Sequence, residues 1–281
     1  MKRTVLTIAS AAIMLTGCGG AQQAGSNDKA ADAPAPKKSI VIYYSLTNTT
    51  AQVAKTFSDK LGIDIDSIVC NEPYDKDFGK TIQRWNEERE KNVLPAIKPI
   101  SHNIADYDTI YLGYPIWGGT YPPAMANFIK SNDLKGKVLV PFCTFGSGGL
   151  NTSTDNLKAE LPESKIIDGY GVRAARISKA QGEVETFLVN SGIVQGEKVV
   201  LPEFSDQQPV TDDDKKVFDA ACGSYQMPLG TPTTVGKRQI KNGTEYLFNV
   251  ESKGPDGNAA QSQIYVTAEE NAAPEFTQVV R

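Results

Sequence analysis

Three short stretches hold the residues best suited to grip a small charged or aromatic ligand. Ser45-Leu46-Thr47-Asn48-Thr49-Thr50 crowds four hydroxyls and an amide into six residues. If a helix opens there, its unpaired N–H groups and the positive end of its dipole favour an anion. The stretch has no Lys or Arg, so such an anion would be held by neutral donors. Plain N-capping by Thr49 or Thr50 is the alternative, although a cap needs only one hydroxyl. The second stretch runs from Tyr114 through Pro115, Ile116, Trp117, Gly118, Gly119, Thr120 and Tyr121 to Pro122-Pro123. An aromatic among glycines offers a flat apolar surface with close backbone approach; a buried core Trp is the plainer reading of Trp117. The third stretch, Thr144-Phe145-Gly146-Ser147-Gly148-Gly149, is glycine-rich, a common and by itself weak signal.

Other chemistries are poorly supplied. The single histidine, His102, excludes a multi-His metal site and argues against a Ser-His-Asp hydrolase; it reads as a solvated loop residue before Asp106. No Cys-x-x-Cys spacing joins Cys18, Cys70, Cys143 and Cys222, so neither a zinc site nor a thioredoxin-type motif is indicated. Cys143 reads as a buried structural residue, with a redox thiol as the sharper alternative. The formal charge of the 281 residues is −4. Without Lys2 and Arg3, 27 basic residues face 33 acidic ones, a net −6. A mildly acidic chain lacking basic runs is a poor nucleic-acid binder.

The elements that must position these stretches alternate in type. Apolar runs at 39–44, 63–69, 108–113, 138–143 and within 165–177 have strand length and character. Segments 50–61, 80–91, 122–130, 152–161 and 179–190 have helical spacing or capping, with Ile82 and Trp85 on one side of the second. Five alternations predict a parallel sheet covered on both faces, with ligands bound at the carboxyl ends of the strands. All three stretches fall at such ends.

Here a family resemblance enters. Ser45, Thr47 and Thr50 match the phosphate loop of flavodoxins, with Asn48 where Gly is usual, and Asn tolerates positive φ. Pro115-Ile116-Trp117 and Pro122-Pro123 resemble that family's second loop, and the third loop lies where its relatives carry a Gly/Ser-rich one. The segment from Glu72-Pro73-Tyr74 to Arg89 is similar to a long insert in one branch of the family. The resemblance covers about residues 39–195. It implies a doubly wound five-stranded parallel sheet of order 2-1-3-4-5 and FMN as cofactor. On that reading Ser45, Thr47, Asn48, Thr49 and Thr50 hold the phosphate. Pro115, Ile116, Trp117 and Gly118 pack on the isoalloxazine ring, and Thr144, Phe145, Gly146, Gly148 and Gly149 line it with backbone N–H groups. Gly118 stands where relatives have a second aromatic, which leaves both Trp117 and Tyr121 as candidates for stacking. No catalytic side chain or metal is implied.

The two ends read differently. Residues 1–17 have a basic start and a short apolar run from Val5 to Leu15, a signal peptide and not a membrane span. Leu15-Thr16-Gly17-Cys18 resembles the bacterial lipobox, which implies lipid on Cys18. Residues 18–38 then form a polar, low-complexity tether. The expected location is extracytoplasmic, anchored in the envelope membrane, and in the outer membrane of a diderm host. Beyond a linker at 196–210, residues 211–281 read as a small α+β domain: a helix capped by Thr211, then an antiparallel meander turning at Asn242-Gly243. Gln239 to Gly243 sits where cystatins carry Gln-x-Val-x-Gly, a faint resemblance with Lys241 in the valine position.

The function expected is that of an FMN-binding redox protein, an electron carrier or flavin-dependent reductase. Its partner would be an extracytoplasmic protein or quinol, because free NAD(P)H is not expected outside the cytoplasm. A cofactor-free flavodoxin-fold binding module acting through the C-terminal domain is the alternative. A lipoprotein whose meander recognises an envelope component is a further role left open.

Overall fold

In a computed structural model, residues 38–254 and 257–281 are described; the expected signal peptide, Cys18 and most of the tether lie outside them. Apolar runs give β1 (Ser39–Tyr43), β3 (Thr109–Pro115) and β4 (Val138–Phe145), with β2 (Asp64–Ser67) beside β1. All pair in parallel, in the order β2-β1-β3-β4. The fifth position is split: β5 (Lys165–Ile166) pairs with the start of β4 and β6 (Tyr170–Arg173) with its end. The single fifth strand read over 165–177 is thus broken at 167–169, and 3-10 turns occupy residues 174–179.

Strand periodicity explains the two cores. Ile40 and Ile42 face one side with Ile110, Leu112 and Tyr114, under α3 (Pro123–Ser131) and α4 (Leu150–Glu160). Val41 faces the other with Tyr111, Val140 and Phe142, under α1 (Thr49–Leu61) and α5 (Ala180–Asn190). Successive side chains point to opposite faces, so a strand buried on both sides must be apolar throughout. Phe57 of α1 stacks on Phe142 at 4.7 Å between centroids. The insert holds α2 (Phe78–Glu90), opened by an Asp77 cap that accepts from the Lys80 N–H.

The C-terminal domain has its own core. A capping box of Thr211 and Asp214 opens α6 (Asp212–Cys222). Its Phe218 and Cys222 pack on Val235, Phe248, Val250, Ile264, Val266 and Phe276 of an antiparallel sheet. That sheet has the order β11-β10-β9-β8-β7: β7 (Gln208–Pro209), β8 (Thr231–Ile240), β9 (Gly243–Lys253), β10 (Ala259–Glu269) and β11 (Glu275–Val280). The meander expected around the Asn242-Gly243 turn extends through β10 to a further strand, β11. The segment read as a linker also joins the sheet, through β7 and the Ser205 N–H to Lys237 O bond of 2.8 Å. The cystatin-like stretch forms the β8–β9 turn. Among the described residues no helix is long and apolar enough to cross a membrane.

Candidate functional site

The carboxyl ends of β1, β3 and β4 bring the three loops together, and named contacts pin each to the next. Thr50 at the start of α1 and Thr144 at the end of β4 are both buried, and their hydroxyls lie 2.8 Å apart. The Ile116 N–H donates to Thr144 O at 2.8 Å, tying the second loop to the third. Tyr44, just before the first loop, meets the edge of Trp117 at 6.0 Å between centroids.

In the first loop Asn48 adopts the left-handed conformation, φ 66° and ψ −1°. Asparagine is among the few side chains that enter this region without large strain, so it serves where Gly is usual. No side chain caps α1, so its first N–H groups are free to meet a ligand, whereas α2 and α6 are capped by Asp77 and Thr211. Thr47 and Asn48 are exposed at the loop crest. Ser45 Oγ is shielded from solvent and has no hydrogen-bond partner among the described residues. Buried hydroxyls nearly always have partners, so this atom marks a place where a further acceptor or donor belongs. A neutral-donor cradle with an orphaned hydroxyl fits a phosphate group.

Burial separates the two aromatics of the second loop. Tyr121 is buried against Tyr114, with ring centroids 5.7 Å apart, and belongs to the core. Trp117 is half-buried at the turn where its N–H and carbonyl pair with Thr120, through Gly118 and Gly119 at positive φ. Of the two, only Trp117 keeps part of its surface open. Sequence reasoning missed what packs around it. Tyr74 meets Trp117 edge-on at 5.0 Å, and its hydroxyl donates to Glu88. Arg84 donates to Glu88 at 2.8 Å and lies 4.1 Å over the Tyr74 ring. Burial, then the Glu88 carboxylate, pushes the Tyr74 phenol well above its ordinary range, so it stays a donor. Trp85 of α2 covers Gly118: a Cβ there would lie 2.5 Å from the indole. Trp85 thus occupies the space that a side chain at position 118 would need. The apolar side of α2 already showed Trp85 in the sequence, but nothing there told which loop it would meet.

The third loop opens α4 through Gly149 without a side-chain cap. Gly146, Gly148 and Gly149, with Phe145, line a cleft of about 350 Å³ whose other side is Ile116 and Gly118; the first loop and Trp117 do not line this cleft, so it gathers only the second and third loops. Phe145 and Thr144 are both buried; Phe145 lines the cleft, whereas Thr144 does not and is held within the sheet. Pro115 ends β3 beneath the second loop. Cys143 is fully buried, and burial pushes its thiol far up, which suits a packing residue. His102 is a partly exposed loop residue, as expected, and its Nδ1 lies 3.2 Å from Asp66 Oδ2 of the edge strand β2. Among the described residues no cluster of three or more His, Cys, Asp or Glu is placed to hold a metal.

Solved structures similar to the chain include a protein of Bacteroides eggerthii assigned as a flavoprotein, 30% identical, with TM-score 0.45, covering 53% of this chain and 99% of that one. One from Bacteroides uniformis, also assigned as a flavoprotein, is 28% identical with TM-score 0.48, covering 53% of this chain and 98% of that one. A flavoprotein from Lactobacillus acidophilus, solved in complex with FMN, is 18% identical with TM-score 0.43, covering 52% and 99%. No curated protein matches the chain. The family described as Flavodoxin matches residues 38–187, more than half of the chain and all three loops. With its parallel sheet of order 2-1-3-4-5, this chain belongs to the flavodoxin family.

Proposed function

We propose that the protein binds FMN and works as a redox protein on the outer side of a membrane, exchanging electrons with an extracytoplasmic protein or quinol. The observation that carries the reading is the first loop: an uncapped helix, a left-handed Asn48 and the unpartnered Ser45 hydroxyl, with no cation present. A phosphate is the group that such neutral donors suit. Ser45, Thr47, Asn48, Thr49 and Thr50 would hold it. Trp117, with Ile116 and Gly118, would pack on the ring, and the third loop would line the ring with N–H groups. FMN would supply one- or two-electron transfer, and the protein would tune it by packing and charge. The FMN in the Lactobacillus acidophilus structure supports the choice of ligand. Export and lipid attachment at Cys18 are proposed from the sequence of residues 1–18.

The alternative, a fold that has lost its cofactor, drew on Asn48 and Gly118. Asn48 here takes the conformation expected of Gly, and Trp85 fills the space beside Gly118. The test is an absorbance spectrum of the purified protein before and after incubation with FMN. Flavin bands that survive desalting are expected. No retained flavin, and no quenching of flavin fluorescence on titration, would leave the binding module as the better account.

A further inference from the structure

One wall of the cleft does not come from the flavodoxin sheet at all. Its lining passes from Ile116 and Gly118 across the third loop to Gln278–Arg281, at the end of β11. The contact is made by backbone. The Val279 N–H donates to Ser147 O at 2.7 Å. A Cβ on Gly148 would lie 2.1 Å from the Val279 carbonyl oxygen, so only glycine lets the two segments meet this closely.

Arg173 of β6 clamps the pair. Its Nε donates to Gly146 O and its Nη1 to Phe276 O, each at 2.8 Å, while the guanidinium lies 4.0 Å over the Phe276 ring. Arg176 to Glu275 at 3.1 Å and Lys179 to Glu269 at 2.9 Å extend the seam. Arg281 is exposed at the cleft rim and makes no ion pair among the described residues. The volume of about 350 Å³ lies within the ~300–1,000 Å³ usual for small-molecule sites.

We propose that the C-terminal domain is a component of the cofactor site: Gln278–Arg281 form the third wall of the cleft, contact the ligand held by the second and third loops, and place the Arg281 charge at its rim. The inference rests on the FMN reading above. It gives the C-terminal domain a role that its separate core does not require. It also means that an electron-transfer partner cannot approach the flavin from the β11 side.

The test is hydrogen–deuterium exchange of the intact protein with and without FMN, read by mass spectrometry. FMN is expected to slow exchange in residues 277–281 as well as in 146–149. Two variants accompany it. Val279→Pro removes the N–H that reaches Ser147; that group points away from β10, so the sheet ladder is kept, and because the Val279 side chain is part of the C-terminal core a thermal melt of the variant must first show that the domain is folded. It should weaken FMN binding about 2- to 10-fold, the worth of one hydrogen bond. Arg281→Gln changes an exposed side chain that cannot unfold the domain, and should weaken FMN binding and flatten its salt dependence. Protection confined to 146–149, with Arg281→Gln binding as the parent does, would overturn the proposal and leave the FMN reading standing. Faster exchange at 277–281 on adding FMN would also overturn it, because the strand would then be displaced by the ligand. If the intact chain takes no FMN at all, the functional reading falls first and this one with it.

Discussion

Replacing Ser45 by Ala separates a ligand-binding hydroxyl from a structural one. The Ser45 Oγ is shielded yet has no partner among the described residues. A buried polar group without a partner costs about 1–3 kcal/mol. Deleting it should therefore raise the stability of the cofactor-free protein, by about 0.5–1.5 kcal/mol after the small loss of packing. For a folded unit of this size that is a rise in Tm of about 1–6 °C. FMN affinity should move the opposite way. A hydrogen bond to a charged group is worth about 1.5–3 kcal/mol, so Kd should rise about 10- to 150-fold. Thermal melts of the cofactor-free protein and fluorescence titration with FMN read the two effects separately. Thr50→Val is the control. The Thr50 hydroxyl bonds Thr144 at 2.8 Å with both residues buried, so its loss should lower stability and affinity together. A Ser45→Ala protein that melts lower and binds FMN unchanged would refute the reasoning, because the hydroxyl would then be serving the fold.

Two further outcomes follow from charge and burial. Asp214 is buried in the α6 capping box, accepting from Thr211 and from Lys237 Nζ at 2.5 Å. Burial alone would raise its pKa, but these donors hold it below the usual carboxylate value. Asp214→Asn should cost about 1–3 kcal/mol. Because the folded pKa is depressed, that contribution is complete above the unfolded pKa of about 3.9 and is lost as pH falls through the lower folded value. The gap between parent and variant melts should thus stay constant above about pH 5 and close below about pH 4; a gap independent of pH would remove the carboxylate from the account. The three described thiols are all buried, with Cys70 pushed up to about 11 and Cys222 to about 12 by burial, and Cys143 higher still. Iodoacetamide at about pH 8 should leave all three unmodified until urea unfolds the chain, as peptide mapping would show. Rapid native labelling of Cys143 would restore the redox-thiol reading.

Much of the flavodoxin domain was legible because its signals are local. Buried strands need unbroken apolar runs, and β1, β3 and β4 have them. Asn48 could be read as a left-handed residue because so few side chains tolerate that conformation. The fifth strand was misjudged as one piece. Its interruption at 167–169 is a matter of which part of β4 each half pairs with, and no residue pattern carries that. β11 was missed because Glu275–Val280 mixes Thr277 and Gln278 with its apolar residues, and its burial comes from packing against α6 and β10.

What the sequence by itself determined was the order of elements and the loops that fall at strand ends, because period, capping and turn chemistry act over a few residues. That Tyr121 is buried while Trp117 stays half-open was decided only by tertiary structure, since both aromatics occupy one loop and no local signal separates them. The same holds for Trp85 over Gly118 and for the seam between the third loop and β11. Those contacts join residues 33 and 132 positions apart. They depend on where whole elements come to rest, which is a property of the packed cores and not of any neighbouring residues.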